Sequence, residues 1–224
     1  MTMHEWDVSP SEAVALQNEL RERVLRRNSF ALDAIKTVAG VDASYKDRGF
    51  AVILVLSFPE LEVIEQATAS RESVFPYVPG LLSFREAPVV LDAFARLRTR
   101  PDLLICDGQG IAHPRRLGLA SHLGVYLDLP SIGCAKSRLT GSYEEPGPQA
   151  GDRSPLTSRG ETIGMVVRSK PRTRPLFVSI GHKIDLPTSV DIILACLRGY
   201  RLPEPTRLAD KLTHTLTSGD HPAE

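Results

Sequence analysis

The chain of 224 residues carries 27 Lys and Arg against 27 Asp and Glu, so its overall charge gives no pull towards nucleic acid and any anion-binding surface must be local. With 42% hydrophobic and 24% charged residues the chain has enough apolar side chains for a real core, and a single domain over residues 1–224 is expected. Cys106, Cys134 and Cys196 cannot all pair, the first residues lack the apolar core of a signal peptide, and no run approaches the roughly 20 apolar residues of a membrane helix, so a reduced, cytoplasmic protein is expected.

Ser9-Pro10-Ser11-Glu12 ahead of Ala13, Leu16, Leu20, Val24 and Leu25 predicts a helix capped at Ser9 with proline in its first turn. Arg21, Arg23, Arg26 and Arg27 make its outer face, suited to pairing with Glu19 and Glu22 or to a phosphate backbone. Three strands are expected next, over Thr37–Tyr45, Phe50–Phe58 and Leu61–Ala69. Tight turns at Lys46–Gly49 and Pro59-Glu60 make them an antiparallel meander. In Glu72–Gly80 the prolines Pro76 and Pro79 with Gly80 forbid a long regular element, which predicts Tyr77 on a stiff, protruding loop. A helix over Leu81–Arg98 follows, with Pro88 in its first turn, Ser83–Ala87 as lead-in and Glu86 near its N-terminus.

Leu103–Cys106 is apolar throughout and reads as a buried strand ending in Asp107 and a turn bracketed by Gly108 and Gly110. A short helix is expected over Arg115–Gly124 and a strand over Pro130–Ala135, which delivers Lys136. Alternation of strand and helix after a meander implies right-handed crossovers and a mixed sheet covered by helices, an α/β fold. Tyr143–Arg159, rich in Pro and Gly, reads as a long loop. Two strands, Glu161–Arg168 and Pro175–Ile180, flank the basic connection Lys170–Arg174, with Gly181-His182-Lys183 after the second. Helices over Leu186–Leu197 and from Glu204 onward complete the chain, and the tail from Ser218 is expected to fray.

The chemistry lies in the carboxylates. Asp42 and Asp107 each interrupt or end an apolar strand, and Glu86 can approach from an adjacent helix. If the two strands are neighbours, their carboxylates lie about 5 Å apart. Like charges that close raise each other's proton affinity unless a divalent cation neutralises them, and oxygen ligands without a Cys or His cluster favour Mg²⁺ or Mn²⁺ over zinc. Such an ion suits phosphodiester hydrolysis. The bland alternative leaves Asp42 capping a turn or pairing with an arginine, Asp107 in an Asx-turn and Glu86 on a helix surface. Lys136 is placed to hold a phosphate or an attacking water. His113, beside Pro114-Arg115-Arg116, and His182 are each either a phosphate contact or a turn residue. Between Cys134 and Arg174 there are eight Lys or Arg against four Asp or Glu, a local basic edge beside an acidic centre.

These residues fall into ordered blocks: Val38-Ala39-Gly40-Val41-Asp42 with Ser44-Tyr45, Pro76-Tyr77-Val78-Pro79-Gly80 with Phe84-Arg85-Glu86, Asp107-Gly108-Gln109-Gly110 with His113-Pro114-Arg115, Gly133-Cys134-Ala135-Lys136, Gly181-His182, and Arg201-Leu202-Pro203-Glu204-Pro205-Thr206-Arg207. Together they resemble the endonuclease V family of deoxyinosine-directed DNA repair nucleases. The resemblance implies a ribonuclease-H-like core: a mixed five-stranded sheet with its first three strands antiparallel, flanked by helices, with C-terminal strands and helices added. It implies divalent-metal catalysis, with Mg²⁺ as cofactor and Mn²⁺ substituting, by Asp42, Glu86 and Asp107, completed by Asp210, with Lys136 at the cleavage site. It casts Tyr77 and its flanking prolines as a wedge at the lesion. It also implies a base pocket lined largely by backbone near Gly80–Leu82 and Gly108–Ile111, with Pro79, Leu82, Gly110, Ile111, His113 and His182 among the substrate contacts. Hypoxanthine lacks guanine's exocyclic amine and offers an N1 donor and O6 acceptor that main-chain groups match. The implied reaction cuts the second phosphodiester bond 3′ to the lesion, leaving a 3′-hydroxyl and a 5′-phosphate, in DNA bound by a monomer with no obligate protein partner. Inosine-containing RNA, or flap and junction DNA, is the alternative substrate, and a non-catalytic nucleic-acid-binding module is the alternative from a different class.

Overall fold

Strand β1 (Thr37–Tyr45) pairs antiparallel with β2 (Gly49–Ser57), closing on the Tyr45–Gly49 pair, and β2 pairs antiparallel with β3 (Val63–Arg71). The computed structural model describes residues 3–72 and 75–218. Ser73, Val74 and the tail beyond Ser218, for which a loop and fraying are expected, lie outside the described residues. Strand β3 starts two residues later than its sequence suggests, because Leu61 is buried in the preceding turn at φ 65°.

Strands β4 (Leu103–Cys106) and β5 (Ser131–Ala135) run parallel to β1. The remaining strands, β6 (Arg153–Ser158), β7 (Glu161–Val167) and β8 (Leu176–His182), extend the same sheet, whose order is β3-β2-β1-β4-β5-β8-β7-β6. The five-stranded core is thus part of eight continuous strands. Strand β6 corrects the expectation of a long loop over Tyr143–Arg159. Its Pro155 can contribute no N–H to a ladder, and β6 is an edge strand with one side free of that demand.

Alternate residues of the central strands feed two cores, as a period of two requires. Val38, Val52, Leu54, Leu103 and Ile105 join one core, while Ala39, Val41, Ile53, Val55, Leu104 and Cys106 join the other. Both faces are therefore covered, which explains why these strands read as apolar runs without alternation. Helices α1 (Pro10–Leu20), α4 (Leu186–Ala195) and α5 (Glu204–Ser218) and then α2 (Leu82–Phe94) and α3 (Leu119–Leu127) supply the cover. Among the described residues no helix is long and apolar enough to cross a membrane.

Helix α1 begins as its sequence demands: Ser9 N–H donates to Glu12 Oε2 at 2.8 Å and Ser9 Oγ accepts from Glu12 N–H at 3.3 Å, with Pro10 behind the cap. The helix ends at Leu20, short of the expected Leu25, because a 3-10 turn over Arg21–Arg23 leads into extended backbone at Val24; the arginines after it go into ion pairs, Arg21 with Glu22, Arg23 with Glu19 and Arg26 with Glu161. Helix α2 starts at Leu82, before Pro88 rather than at it. The proline removes one helical hydrogen bond, and the burial of Ser83, Phe84 and Ala87 in the preceding turn offsets that loss. Helix α3 starts four residues later than expected, since Arg116 adopts a left-handed φ of 61° that no helix can pass through.

Gly40 in β1 sets the position of α5. A Cβ there would lie 2.1 Å from the Pro205 carbonyl oxygen, so only glycine lets the helix come this close. The substitution Gly40→Ala is therefore expected to destabilise the fold by about 3 kcal/mol or more. Thermal unfolding of the variant checks this, and a midpoint within a degree of wild type would show that α5 can retreat freely.

Candidate active site

Parallel pairing of β1 with β4 puts Val41 opposite Cys106, so the next residues, Asp42 and Asp107, emerge side by side. The register is held where Asp107 N–H donates to the Val41 carbonyl at 2.9 Å. The close approach of α5 at Gly40 brings in Asp210, five residues beyond the Pro205 contact, and one carboxylate oxygen from each of Asp42, Asp107 and Asp210 lies within 4.8 Å of the others. Strand β5 ends at the same edge and delivers Lys136, whose Nζ sits 2.6 Å from Asp107 Oδ2 and 2.5 Å from Asp210 Oδ1. One ammonium faces three carboxylates. The cleft these residues line, with Ser44, Thr213 and His214, encloses about 240 Å³.

The electrostatics follow from burial and crowding. Burial, and then the charge of Asp107, pushes Asp42 up to about 6. Burial also raises Asp107, although the Lys136 ammonium opposes the shift. Burial works against the charged form of Lys136, and the Asp107 and Asp210 carboxylates outweigh it, so the lysine holds its proton more firmly than usual. Three carboxylates crowd here around a single ammonium. This is a site short of positive charge. Its donors are all carboxylate oxygens with no thiol or imidazole among the three, a set that fits a hard divalent cation such as Mg²⁺ or Mn²⁺.

Glu86 stands beside this trio and is not part of it. Projecting from the second turn of α2, it lines a neighbouring cavity of about 380 Å³ together with Asp107, Lys136 and the Tyr77 loop. Burial, followed by the charges of Asp42 and Asp107, raises its pKa to about 8. Glu86 is thus electrostatically linked to both aspartates while facing the adjoining chamber.

Tyr77, Pro79, Gly80, Leu82, Gly108, His113 and Lys136 all line that chamber. Tyr77 protrudes, 70% exposed, while its neighbour Phe75 is buried against Phe84. The loop is held at Gly80, a glycine at φ 79°. The Gly80 carbonyl accepts from Gln17 Nε2 and His113 Nε2, both at 3.0 Å, and from Arg115 Nη2 at 2.6 Å. His113 Nδ1 accepts from the Arg115 N–H at 3.1 Å, which leaves the ring proton on Nε2 for Gly80. Burial, and next the Arg115 charge, lowers the pKa of His113 to about 4, so the imidazole is neutral as this arrangement requires. Removing the buried donor with Gln17→Leu is expected to cost about 1–3 kcal/mol of stability. Thermal unfolding checks this; an unchanged midpoint would show that the loop needs no such clamp.

Three expected substrate contacts are placed elsewhere. Gly110 is packed against β8, where a Cβ would lie 2.0 Å from the Ile180 carbonyl oxygen, and Ile111 is 1% exposed in the core. His182 is at the far end of the sheet because β8 runs antiparallel to β5: it pairs with Ser131 at the start of β5, while Phe177 pairs with Ala135 beside Lys136. Its Nδ1 accepts from the Leu25 N–H at 3.2 Å. Sequence reasoning missed Gln109, Arg138 and Leu139, which line the chamber, and Thr213 and His214, which line the cleft. For the α5 pair a signal existed in the helical spacing from Asp210 to His214.

The chain matches the family model for endonuclease V over residues 18–211. An endonuclease V of Roseiflexus sp. is 54% identical over 208 residues, covering 92% of this chain and 93% of that one. Among solved structures, endonuclease V of Streptomyces avermitilis superposes with a TM-score of 0.90 at 44% identity over 96% of each chain. Endonuclease V of Ciona intestinalis, solved in complex with a 24mer DNA containing an inosine followed by a ribo-adenosine, superposes with a TM-score of 0.81 at 28% identity over 94% of this chain and 98% of that one. With the family model matched over most of its length and relatives at about half identity, the chain belongs to the endonuclease V family.

Proposed function

We propose that the protein is a divalent-metal-dependent endonuclease that recognises deoxyinosine, the product of adenine deamination, in DNA. In this reading it hydrolyses the second phosphodiester bond 3′ to the lesion, leaves a 3′-hydroxyl and a 5′-phosphate, and so begins removal of the damage. The observation that carries the reading is the adjacency of the aspartate cleft and the Tyr77 chamber, which share Asp107 and Lys136. The inosine-containing strand bound by the Ciona relative supports the choice of base.

Asp42, Asp107 and Asp210 are the residues that would hold a Mg²⁺ or Mn²⁺ ion, with Glu86 beside them. A bound divalent ion supplies the positive charge that stabilises the phosphate as it is attacked and as the 3′-oxygen leaves. The chain's own residues do the rest. Tyr77, on a loop clamped at Gly80, is placed to wedge between stacked bases and hold them apart at the lesion. The chamber takes the displaced base, with backbone at Gly80, Gly108 and Gly118 to meet its hydrogen-bonding edge. Lys136, at the junction of chamber and cleft, directs its ammonium at the scissile phosphate. Base and cut are thus served by different compartments, as a cut displaced from the lesion needs.

The test is cleavage of matched duplexes with and without one deoxyinosine, in Mg²⁺ and in EDTA, with the cut mapped on a sequencing gel. The expected result is a Mg²⁺-dependent nick two bonds 3′ to inosine and none in the control. Faster cutting of the same sequence as RNA, or of a branched duplex without inosine, would replace the proposed substrate.

A further inference from the structure

A third cavity, of about 790 Å³, opens from the other side of Lys136 at the β7–β8 end of the sheet. Its lining includes Arg138, Tyr143, Arg168, Arg172, Arg174 and Phe177. The only acid in it, Glu145, is already paired: Arg168 Nη2 lies 2.5 Å from Glu145 Oε1. Arg168 also donates to the carbonyls of Pro146, Gly147 and Thr173, so it fastens both rims of the groove together. Arg138, Arg172 and Arg174 are exposed and make no ion pair among the described residues. Arg172 holds a left-handed φ of 60°, uncommon for a residue with a side chain. The Tyr143 ring lies edge-on to Phe177 at 5.4 Å and has the Arg138 guanidinium 5.6 Å from its centroid.

We infer that this groove is a strand track that carries the nucleic acid beyond the cleavage site. Arg138, Arg172 and Arg174 hold consecutive phosphates, and Tyr143 with Arg138 forms a stacking platform for an unpaired base. Three exposed cations unmatched by acid suit a polyanion, and an aromatic face beside a guanidinium is how single strands are held without regard to sequence. Continuity through Lys136 makes the occupant the same strand that reaches the cleft. The inference rests on the nuclease reading for that continuity, and its cation and stacking chemistry can be tested without it.

The experiment compares the full chain with R172E/R174E and with Tyr143→Leu, which keeps apolar packing on Phe177 but has no ring face. Single-turnover cleavage is followed on a long deoxyinosine duplex and on two others trimmed close to the cut on one side each. On the long duplex the double variant should need about tenfold more enzyme for half-maximal rate, keep the saturating rate, and lose about 1.4–1.8 from the salt slope, near 0.7–0.9 per cation removed. Tyr143→Leu should need about fivefold more with an unchanged slope. Trimming one particular arm should make all three proteins equal. Equal behaviour on the long duplex, or the same loss on both trimmed ones, would overturn the track. If the wild-type chain cuts no inosine substrate, the nuclease reading fails instead; the salt slope for an inosine-free single strand then decides the groove, a slope unchanged in R172E/R174E rejecting it.

Discussion

Replacing Asp107 by asparagine is expected to lower the rate of inosine-directed cleavage about 10³-fold, a loss of roughly 4 kcal/mol of barrier stabilisation, while leaving affinity for the lesion within a few-fold of wild type. Asp107 is the one carboxylate shared by cleft and chamber, and it sits 2.6 Å from Lys136. The amide keeps the shape of the side chain and removes the charge, so the chamber and the Tyr77 loop stay as they are. Cleavage and binding therefore separate in this variant. Single-turnover rates and equilibrium binding on the same duplex provide the check; a rate within tenfold of wild type removes Asp107 from the chemistry, and a parallel loss of binding makes its role structural.

The second large effect is on stability. Without a divalent ion, Glu86 keeps its proton in the folded chain up to about pH 8 because it is buried near Asp42 and Asp107, whereas the unfolded chain releases it near the ordinary carboxylate value of about 4.3. Between these limits the folded state binds more protons than the unfolded state, so stability falls as pH rises through the window. Asp42, raised to about 6, acts in the same direction over the lower half. Glu86→Gln removes the penalty, and the metal-free variant should match wild type near pH 4.5 and exceed it by about 3 kcal/mol, or roughly 5–10 °C in melting temperature, at pH 8.5. Thermal melts in EDTA across that range test it. A gap that does not widen with pH would mean that Glu86 ionises freely in the folded protein. The same variant is expected to be slow in cleavage, as a trade of stability for activity at a proposed catalytic residue requires.

The elements nearest the site were the most legible. β1 and β4 are found where apolar residues interrupted by Asp42 or followed by Asp107 place them, and the parallel pairing meets the condition under which the two acids lie side by side. What could not be read was set by contacts distant in sequence. The nearness of Asp210 depends on a helix packing on Gly40, and nothing local to Asp210 reports it. His182 was misplaced because direction within a sheet is not written in a strand's own residues, and the antiparallel run of β8 carries it away from Lys136. Gly110 and Ile111 look like the exposed end of a turn, yet the turn folds back over β5 and β8; Gly110 N–H donates to Ser179 Oγ at 2.9 Å. β6 hid behind its proline, which a central strand would exclude and an edge strand accepts. The chamber was legible as backbone and loop, whereas Gln109, whose Nε2 donates to the Ser137 carbonyl at 2.9 Å, enters it only because β4 and β5 are neighbours.

The proposed reaction requires Asp42, Asp107 and Asp210 to take up one divalent cation between them. Anomalous diffraction from a crystal soaked in Mn²⁺ measures this directly. A single peak in contact with all three carboxylates, absent from a crystal of the Asp107→Asn variant, is the result predicted. Manganese bound elsewhere on the chain, or a cleft still bridged only by the Lys136 ammonium at saturating Mn²⁺, would contradict it.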